Sequence, residues 1–208
     1  MSATVDPLVP LVLLEAVRSV DLPEHDLEAE FVEELRTKRF GLSETVLTQI
    51  RRYSEAVKRS HRASRDEAAG IAKLIGRRPD AEAVFREAGR LMARQTYGRV
   101  SGFSRRFIRV LPGLVARPIA LRQVRRISKR ILSGRIRRVG GSVLLEVAAG
   151  DSVTREAAPR LIGCTFYESG LRELMQLLMG GVGAVEHVRC VSRGEGTCEW
   201  RAEWRSSR

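Results

Sequence analysis

Four side chains able to bind a metal lie in the last quarter of the sequence: Cys164, His187, Cys190 and Cys198. Thiolate and imidazole groups are soft or borderline ligands, and a set of three cysteines and one histidine is typical of closed structural zinc sites. The residue types therefore predict one zinc ion with four protein ligands. Because such a site has no open position for a substrate, we expect the zinc to stabilise the fold.

The elements around these residues decide whether the four side chains can meet. Cys190 and Cys198 flank a Gly-Glu-Gly turn, so in a β-hairpin they would be cross-strand neighbours on one face. Cys164 lies at the predicted start of a helix, where free N–H groups favour a thiolate. His187 and Cys190 are an odd number of residues apart, so both face one site only if a bulge or turn intervenes. Glu186 has the correct strand parity and is the competing fourth ligand.

A second interpretation of the same residues involves no metal. Reduced cysteines are frequently small buried apolar side chains, and a single histidine on a strand is commonly a polar surface residue. The interval between Cys164 and His187 matches no standard zinc-finger spacing. From the residues alone, both interpretations stay open.

Apolar periodicity predicts that the first part of the chain is helical. Ser43 and Ser64 occupy positions typical of helix N-caps, and Ser64 is followed by Glu67 at capping-box spacing. Pro112 and Pro118 are expected to interrupt the chain around residues 111–116. The predicted helices cover residues 7–20, 26–38, 43–61, 64–74, 80–92 and 119–132.

The periodicity changes after Ser133. Residues 135–139 and 142–147 are predicted to be two strands joined by a Gly-Gly turn, a helix follows over 163–179, and strands over 182–191 and 197–204 form a second hairpin. Helices followed by strand, strand, helix, strand, strand predict an α+β fold. We expect helices packed on one face of a mainly antiparallel sheet.

The division of the chain follows from the same order of elements. Residues 1–75 are predicted to be an N-terminal helical extension. Residues 76–208 are predicted to form the α+β domain that contains the candidate site.

The net charge of +12 comes from one segment. Residues 88–145 contain fourteen arginines, one lysine and no acidic residue, whereas the rest of the chain carries 22 basic and 25 acidic residues. The predicted helix 119–132 has one apolar and one basic side. We favour the interpretation that the apolar side packs on the core, that the basic side faces solvent, and that the acidic residues 26–34 offset its charge. The alternative is a nucleic-acid or anionic-membrane surface formed by the Arg-rich segment 90–138.

No motif in the sequence predicts an enzyme. The chain contains no Gly-x-Gly-x-x-Gly dinucleotide loop and no P-loop, and its three histidines are not arranged with a serine or cysteine nucleophile. No apolar stretch is long enough to span a membrane, and three cysteines make a disulfide framework a poor explanation, so a cytoplasmic protein is expected. Because residues 7–20 are apolar on more than one side, we also expect a homodimer.

The residues of the candidate site carry a resemblance to a known family. The run Cys164-Thr-Phe-Tyr-Glu-Ser-Gly-Leu, the helix after it, and the run His187-Val-Arg-Cys-Val-Ser-Arg-Gly-Glu-Gly-Thr-Cys-Glu-Trp resemble the closing motif of 4-vinyl reductase domains. The specific likeness covers residues 161–204. A looser likeness begins at Ala81, where Phe85-Arg-Glu-Ala-Gly-Arg resembles the glycine-containing helix of that family.

The resemblance implies a regulatory or scaffold protein. The family includes sensor domains of bacterial activators that respond to aromatic compounds, and it shares its fold with subunits of eukaryotic vesicle-tethering complexes. It therefore implies binding of a small hydrophobic molecule, a protein partner, or both. In the aromatic-sensing members, the equivalent cysteines hold a zinc together with an acidic residue three positions before the middle cysteine. Here that position is His187, so the identity of the fourth ligand, His187 or Glu186, stays open.

Overall fold

Helices come first in the fold, and a four-stranded sheet follows with one further helix inserted between its hairpins. The structure is a computed structural model that describes residues 3–22, 41, 43–111, 113–155, 157, 161–180 and 184–203. Its helices are α1 (Leu8–Asp21), α2 (Glu44–Lys58), α3 (Arg65–Gly76), α4 (Ala81–Gly98), α5 (Gly102–Val110), α6 (Gly113–Ile131) and α7 (Cys164–Met179). Its strands are β1 (Thr4–Val5), β2 (Ala63–Ser64), β3 (Arg135–Val139), β4 (Ser142–Ala148), β5 (Val185–Arg189) and β6 (Thr197–Glu203).

The predicted α+β class is confirmed. Strands β3, β4, β6 and β5 pair in that order, and every pair is antiparallel. The register aligns Val143 with Ala202, Leu145 with Trp200 and Val147 with Cys198. All six of these side chains are buried, because paired residues share one face of a sheet and the helices cover that face. None of the helices that the structure describes is long and apolar enough to cross a membrane.

Helix starts follow the predicted capping residues. Ser43 Oγ accepts a hydrogen bond from the Val46 N–H, and Ser64 Oγ accepts one from the Glu67 N–H, which satisfies a free donor in the first turn of α2 and of α3. The predicted helix 26–38 and its acidic residues lie outside the described residues. Its proposed role in offsetting the basic face is therefore still a prediction.

Helix α6 begins earlier than its prolines predict. The expected interruption around residues 111–116 is wrong from Gly113 onward, because α6 runs from Gly113 through Pro118 to Ile131. A proline inside a helix removes one backbone hydrogen bond and costs about 3 kcal/mol. Burial of Ala116 and Ala120 on either side of Pro118 favours continued helix at this point. The apolar face of α6 is buried, and its residues are Leu121, Val124, Ile127 and Ile131.

Helix α1 is buried on nearly all sides. It packs against α2, α3 and α4, and its side chains belong to the same core cluster as those of the sheet. This burial explains why residues 7–20 are apolar on more than one side without requiring a second chain. The expected homodimer therefore loses the observation that motivated it and remains a prediction.

Helices α4 and α7 pack against each other at close range. Gly89 of α4 faces Ser169 and Gly170 of α7, and a Cβ added at Gly89 would overlap Ser169 Oγ and the Phe166 carbonyl oxygen. The absence of a side chain at Gly89 lets the two helices approach this closely. The contact fixes the position of α7, whose first residue is Cys164.

Candidate metal centre

The four predicted metal ligands come together at one end of the sheet. One ligand atom each from Cys164, His187, Cys190 and Cys198 lies within 4.8 Å of every other. Cys190 and Cys198 are buried, and Cys164 and His187 are partly buried. Three elements supply them, since Cys164 begins α7, His187 lies on β5 with Cys190 directly after its end, and Cys198 lies on β6. The cluster could hold a metal ion.

A β-bulge brings His187 and Cys190 to the same site. The pairing of β5 with β6 shifts register between His187 and Arg189, so one extra residue is accommodated on β5. After the bulge, β5 ends, and residues 191–193 form a short 3₁₀ helix. The odd spacing of His187 and Cys190 required a bulge or turn between them, and the structure contains one. The predicted strand 182–191 ends at Arg189, because the chain turns into this 3₁₀ helix.

Sulfur positions agree with tetrahedral coordination. Cys190 Sγ lies 4.0 Å from Cys164 Sγ and 3.9 Å from Cys198 Sγ. Two sulfurs bound at about 2.3 Å to one tetrahedral zinc would be about 3.8 Å apart. All three cysteines are free thiols, so no disulfide competes for them. A zinc ion would therefore fit among these sulfurs with only small movements of the side chains.

Backbone N–H groups point at two of the sulfurs. The Val191 N–H donates to Cys198 Sγ, and the Ser192 N–H donates to Cys190 Sγ, each at 3.4 Å. Donors directed at a sulfur favour its charged form over the neutral thiol. Outer hydrogen bonds of this kind orient metal ligands and tune their basicity.

The thiols share protons unevenly. A hydrogen bond from the Cys164 side chain, with smaller contributions from His187 and the Val191 N–H, holds the pKa of Cys198 well below its ordinary value although burial opposes this. The same hydrogen bond with Cys198, together with burial, raises the pKa of Cys164. The cluster therefore stabilises one thiolate and disfavours a second one, which is the situation that a bound cation would relieve.

The imidazole of His187 is held by an aromatic stack. Its ring lies parallel to the indole of Trp200, with centroids 4.8 Å apart and 7° between the planes, and Tyr167 stacks on Trp200 at 5.0 Å. Nε2 of His187 is buried and has no hydrogen-bond partner among the described residues. A buried polar nitrogen without a partner is unfavourable, and coordination to a metal would satisfy such an atom.

Glu186, the competing ligand, lies elsewhere. It pairs across the sheet with Arg201, and its Oε2 accepts a hydrogen bond from Arg201 Nη2 at 2.7 Å. Both side chains are about half exposed. Because successive residues on a strand point to opposite faces, Glu186 faces away from the cysteines. Of the two candidates for the fourth position, the structure brings His187 to the cluster.

Other residues of the site were not singled out from the sequence. The Glu195 carboxylate accepts a hydrogen bond from the Cys190 N–H and so closes the turn between the two cysteines. The Gly-Glu-Gly sequence could have predicted this hydrogen bond, because a glutamate between two glycines can fold its carboxylate back onto the turn. Cys164 and His187 also border an open cleft of about 390 Å³, which Glu82, Thr165 and Glu168 line as well.

Comparison of the chain with family models, with curated proteins and with solved structures finds no match. The resemblance to 4-vinyl reductase domains therefore remains an expectation drawn from the motif residues.

Proposed function

We propose that this chain is a non-enzymatic binding protein whose α+β domain is stabilised by one zinc ion bound to Cys164, His187, Cys190 and Cys198. The convergence of these four ligand atoms within 4.8 Å is the observation that carries the proposal. The ion would join the start of α7 to the hairpin of β5 and β6, which are separated in sequence by the whole of α7. Its contribution would be to folding, as in other closed sites with four protein ligands.

The donor set favours zinc over other metals. Magnesium, calcium and manganese prefer oxygen ligands, whereas three thiolates and an imidazole in a tetrahedral arrangement suit zinc. The spacing of the sulfurs and the N–H donors directed at them support the same assignment. Zinc also undergoes no redox change, which fits a role in structure.

The fourth ligand can be tested with two neighbouring variants. His187→Ala should weaken zinc binding by more than about 100-fold, because loss of a direct ligand should exceed the 10- to 100-fold effect of losing an outer hydrogen bond. Glu186→Gln is the matched control, since it changes an adjacent exposed side chain on the same strand. Zinc affinity should be measured by competition with a chromogenic chelator. Loss of affinity in Glu186→Gln with wild-type affinity in His187→Ala would assign the site to Glu186 instead.

A regulatory or scaffold role is part of the proposal and is supported by the motif resemblance. Four protein ligands leave zinc no free position for a substrate, which favours binding over catalysis. The cleft beside Cys164 and His187 has a volume suited to a small molecule, and its lining combines the apolar side chains of Leu161 and Ile162 with the polar ones of Glu82, Thr165 and Glu168. We propose this cleft as the site for a small hydrophobic ligand.

Phenol is a suitable probe of the cleft. We expect phenol to shift the NMR signals of Leu161, Ile162 and Thr165, and Leu161→Gly to weaken this binding several-fold. Leu161 has a φ of 77°, a conformation that glycine adopts without strain, so the variant should fold. Leu74→Ala, at an exposed apolar residue on α3, is the control and should change nothing. Shifts that are absent, or equal in Leu161→Gly and wild type, would count against the cleft.

A further inference from the structure

Helix α5 presents an apolar stripe to solvent. Phe103, Phe107 and Val110 recur at helical spacing and are 72%, 39% and 74% exposed, and Val115 at the start of α6 is 48% exposed. The two phenylalanine rings lie against each other with centroids 4.2 Å apart. The other side of α5 is anchored, because Ile108 packs against the core. A folded helix therefore displays large apolar side chains on its outer face.

The sequence segment that contains this stripe carries basic charges only. Residues 88–145 contain no acidic side chain, and α5 itself carries Arg105, Arg106 and Arg109. Arg106 is exposed beside the phenylalanines. On α6, Arg122, Arg125 and Lys129 are exposed as well. A helix with an apolar stripe and a cationic surround is typical of segments that lie in the interface of an anionic bilayer.

A basic pocket opens at the N-terminal end of α5. It has a volume of about 280 Å³ and lies between the end of α4, the first turn of α5 and the C-terminal half of α6. Arg99 and Arg126 line it together with the hydroxyls of Ser101 and Ser104. Neither arginine forms an ion pair with another residue of the described chain, whereas Arg130, also in the lining, pairs with Asp6. The Ser101 hydroxyl donates to Ser104 Oγ and caps α5, which leaves the Ser104 O–H as a donor. Two guanidinium groups without ion-pair partners and this hydroxyl suit a phosphate group.

We propose that α5 and the adjacent basic pocket form a docking surface for an anionic phospholipid bilayer. Phe103, Phe107 and Val110 enter the boundary between headgroups and acyl chains, and Arg99 and Arg126 hold a lipid phosphate at the pocket. The surface uses none of the residues of the candidate metal centre and does not depend on the zinc proposal.

The apolar stripe favours a bilayer over nucleic acid. Bases stack on aromatic rings, but aliphatic side chains such as Val110 and Val115 offer no stacking surface. The rings of Phe103 and Phe107 lie close to each other, which leaves less space for an intercalated base. An acyl-chain boundary accepts both aromatic and aliphatic side chains.

Vesicle sedimentation with the full chain tests the docking surface. The chain should sediment with mixed phosphatidylglycerol and phosphatidylcholine vesicles and not with pure phosphatidylcholine vesicles, because the arginines need anionic lipid. The double variant Phe103→Ser, Phe107→Ser should bind the mixed vesicles at least about tenfold more weakly, since it loses both buried rings but no charge. Arg99→Gln with Arg126→Gln should also weaken binding, by about tenfold or more.

Matched variants elsewhere on the surface control for general effects. Leu74→Ser removes another exposed apolar side chain and Arg51→Gln removes another exposed charge, and both should bind vesicles like the wild type. Circular dichroism should show all variants folded, because every changed residue is exposed. The proposal is overturned by absence of binding to the mixed vesicles, by equal binding to both vesicle types, or by wild-type binding of the double phenylalanine variant. It is equally overturned if the chain binds duplex or single-stranded DNA but not vesicles, or if the stripe is covered by a second copy of the chain.

Discussion

Replacement of Cys190 by serine is expected to release the metal and to lower the free energy of unfolding by about 4 kcal/mol or more. Cys190 Sγ lies 4.0 Å from Cys164 Sγ and 3.9 Å from Cys198 Sγ, so its loss removes one of the four ligands of the cluster. A serine hydroxyl is a poor ligand for zinc at neutral pH. Urea unfolding followed by circular dichroism measures the change, and Cys198→Ser should behave in the same way.

A chelator separates loss of a ligand from loss of a buried side chain. In excess chelator the wild type should lose most of its advantage over Cys190→Ser, because neither protein then holds zinc. The remaining difference should be about 1 kcal/mol, the scale for placing a hydroxyl where a buried thiol was. If the variant is equally destabilised with and without chelator, the cysteines are core residues and the zinc proposal is wrong.

Gly89→Ala is expected to lower the free energy of unfolding by about 3 kcal/mol, at the upper end of the range for overpacked cores. The new methyl group would overlap Ser169 Oγ and the Phe166 carbonyl oxygen and would lie 2.8 Å from the Gly170 nitrogen. Ser169 could rotate, but the backbone of α7 could not move without displacing the helix. Since α7 carries Cys164, we also expect weaker zinc binding in this variant.

Gly70→Ala provides the matched control. Gly70 also lies within a helix, α3, but a Cβ added there meets nothing within 4 Å. Alanine is preferred over glycine inside helices, so this variant should be neutral or more stable by up to about 1 kcal/mol. Gly89→Ala should therefore unfold at a lower temperature and a lower urea concentration than the wild type, whereas Gly70→Ala should unfold at the same or higher values. Equal stability of both would show that α4 and α7 are not packed as closely as described.

Local rules were sufficient for most of the fold. Side-chain oxygens at Ser43 and Ser64 cap helices where their types and spacing predicted, and the Gly-Gly turn joins β3 to β4 in the expected hairpin. These features depend on a few neighbouring residues, which is why the sequence reveals them. Helix α6 departs from the prediction at Pro118. Proline tends to interrupt a helix, but burial of the residues around Pro118 outweighs this local preference.

The candidate site was predictable in its residue types but not in its geometry. Three cysteines and one histidine identify the donor set. The fourth ligand depends on a bulge at His187, and no residue type in β5 predicts that bulge. The stack of His187 on Trp200 depends on the register of β6 against β5 and β4. The exposed stripe of α5 is unpredictable from the sequence for a similar reason. Phe103 and Phe107 look like core residues in sequence, and only the packing of α5 shows which side of it is left uncovered.

Elemental analysis of the purified chain tests the zinc assignment most directly. Protein prepared from zinc-containing medium and passed through a desalting column should contain one zinc per chain by inductively coupled plasma mass spectrometry, and Cys198→Ser should contain almost none. Wild-type protein without metal, or with a metal content that Cys198→Ser retains, would contradict the assignment of Cys164, His187, Cys190 and Cys198 as a zinc site.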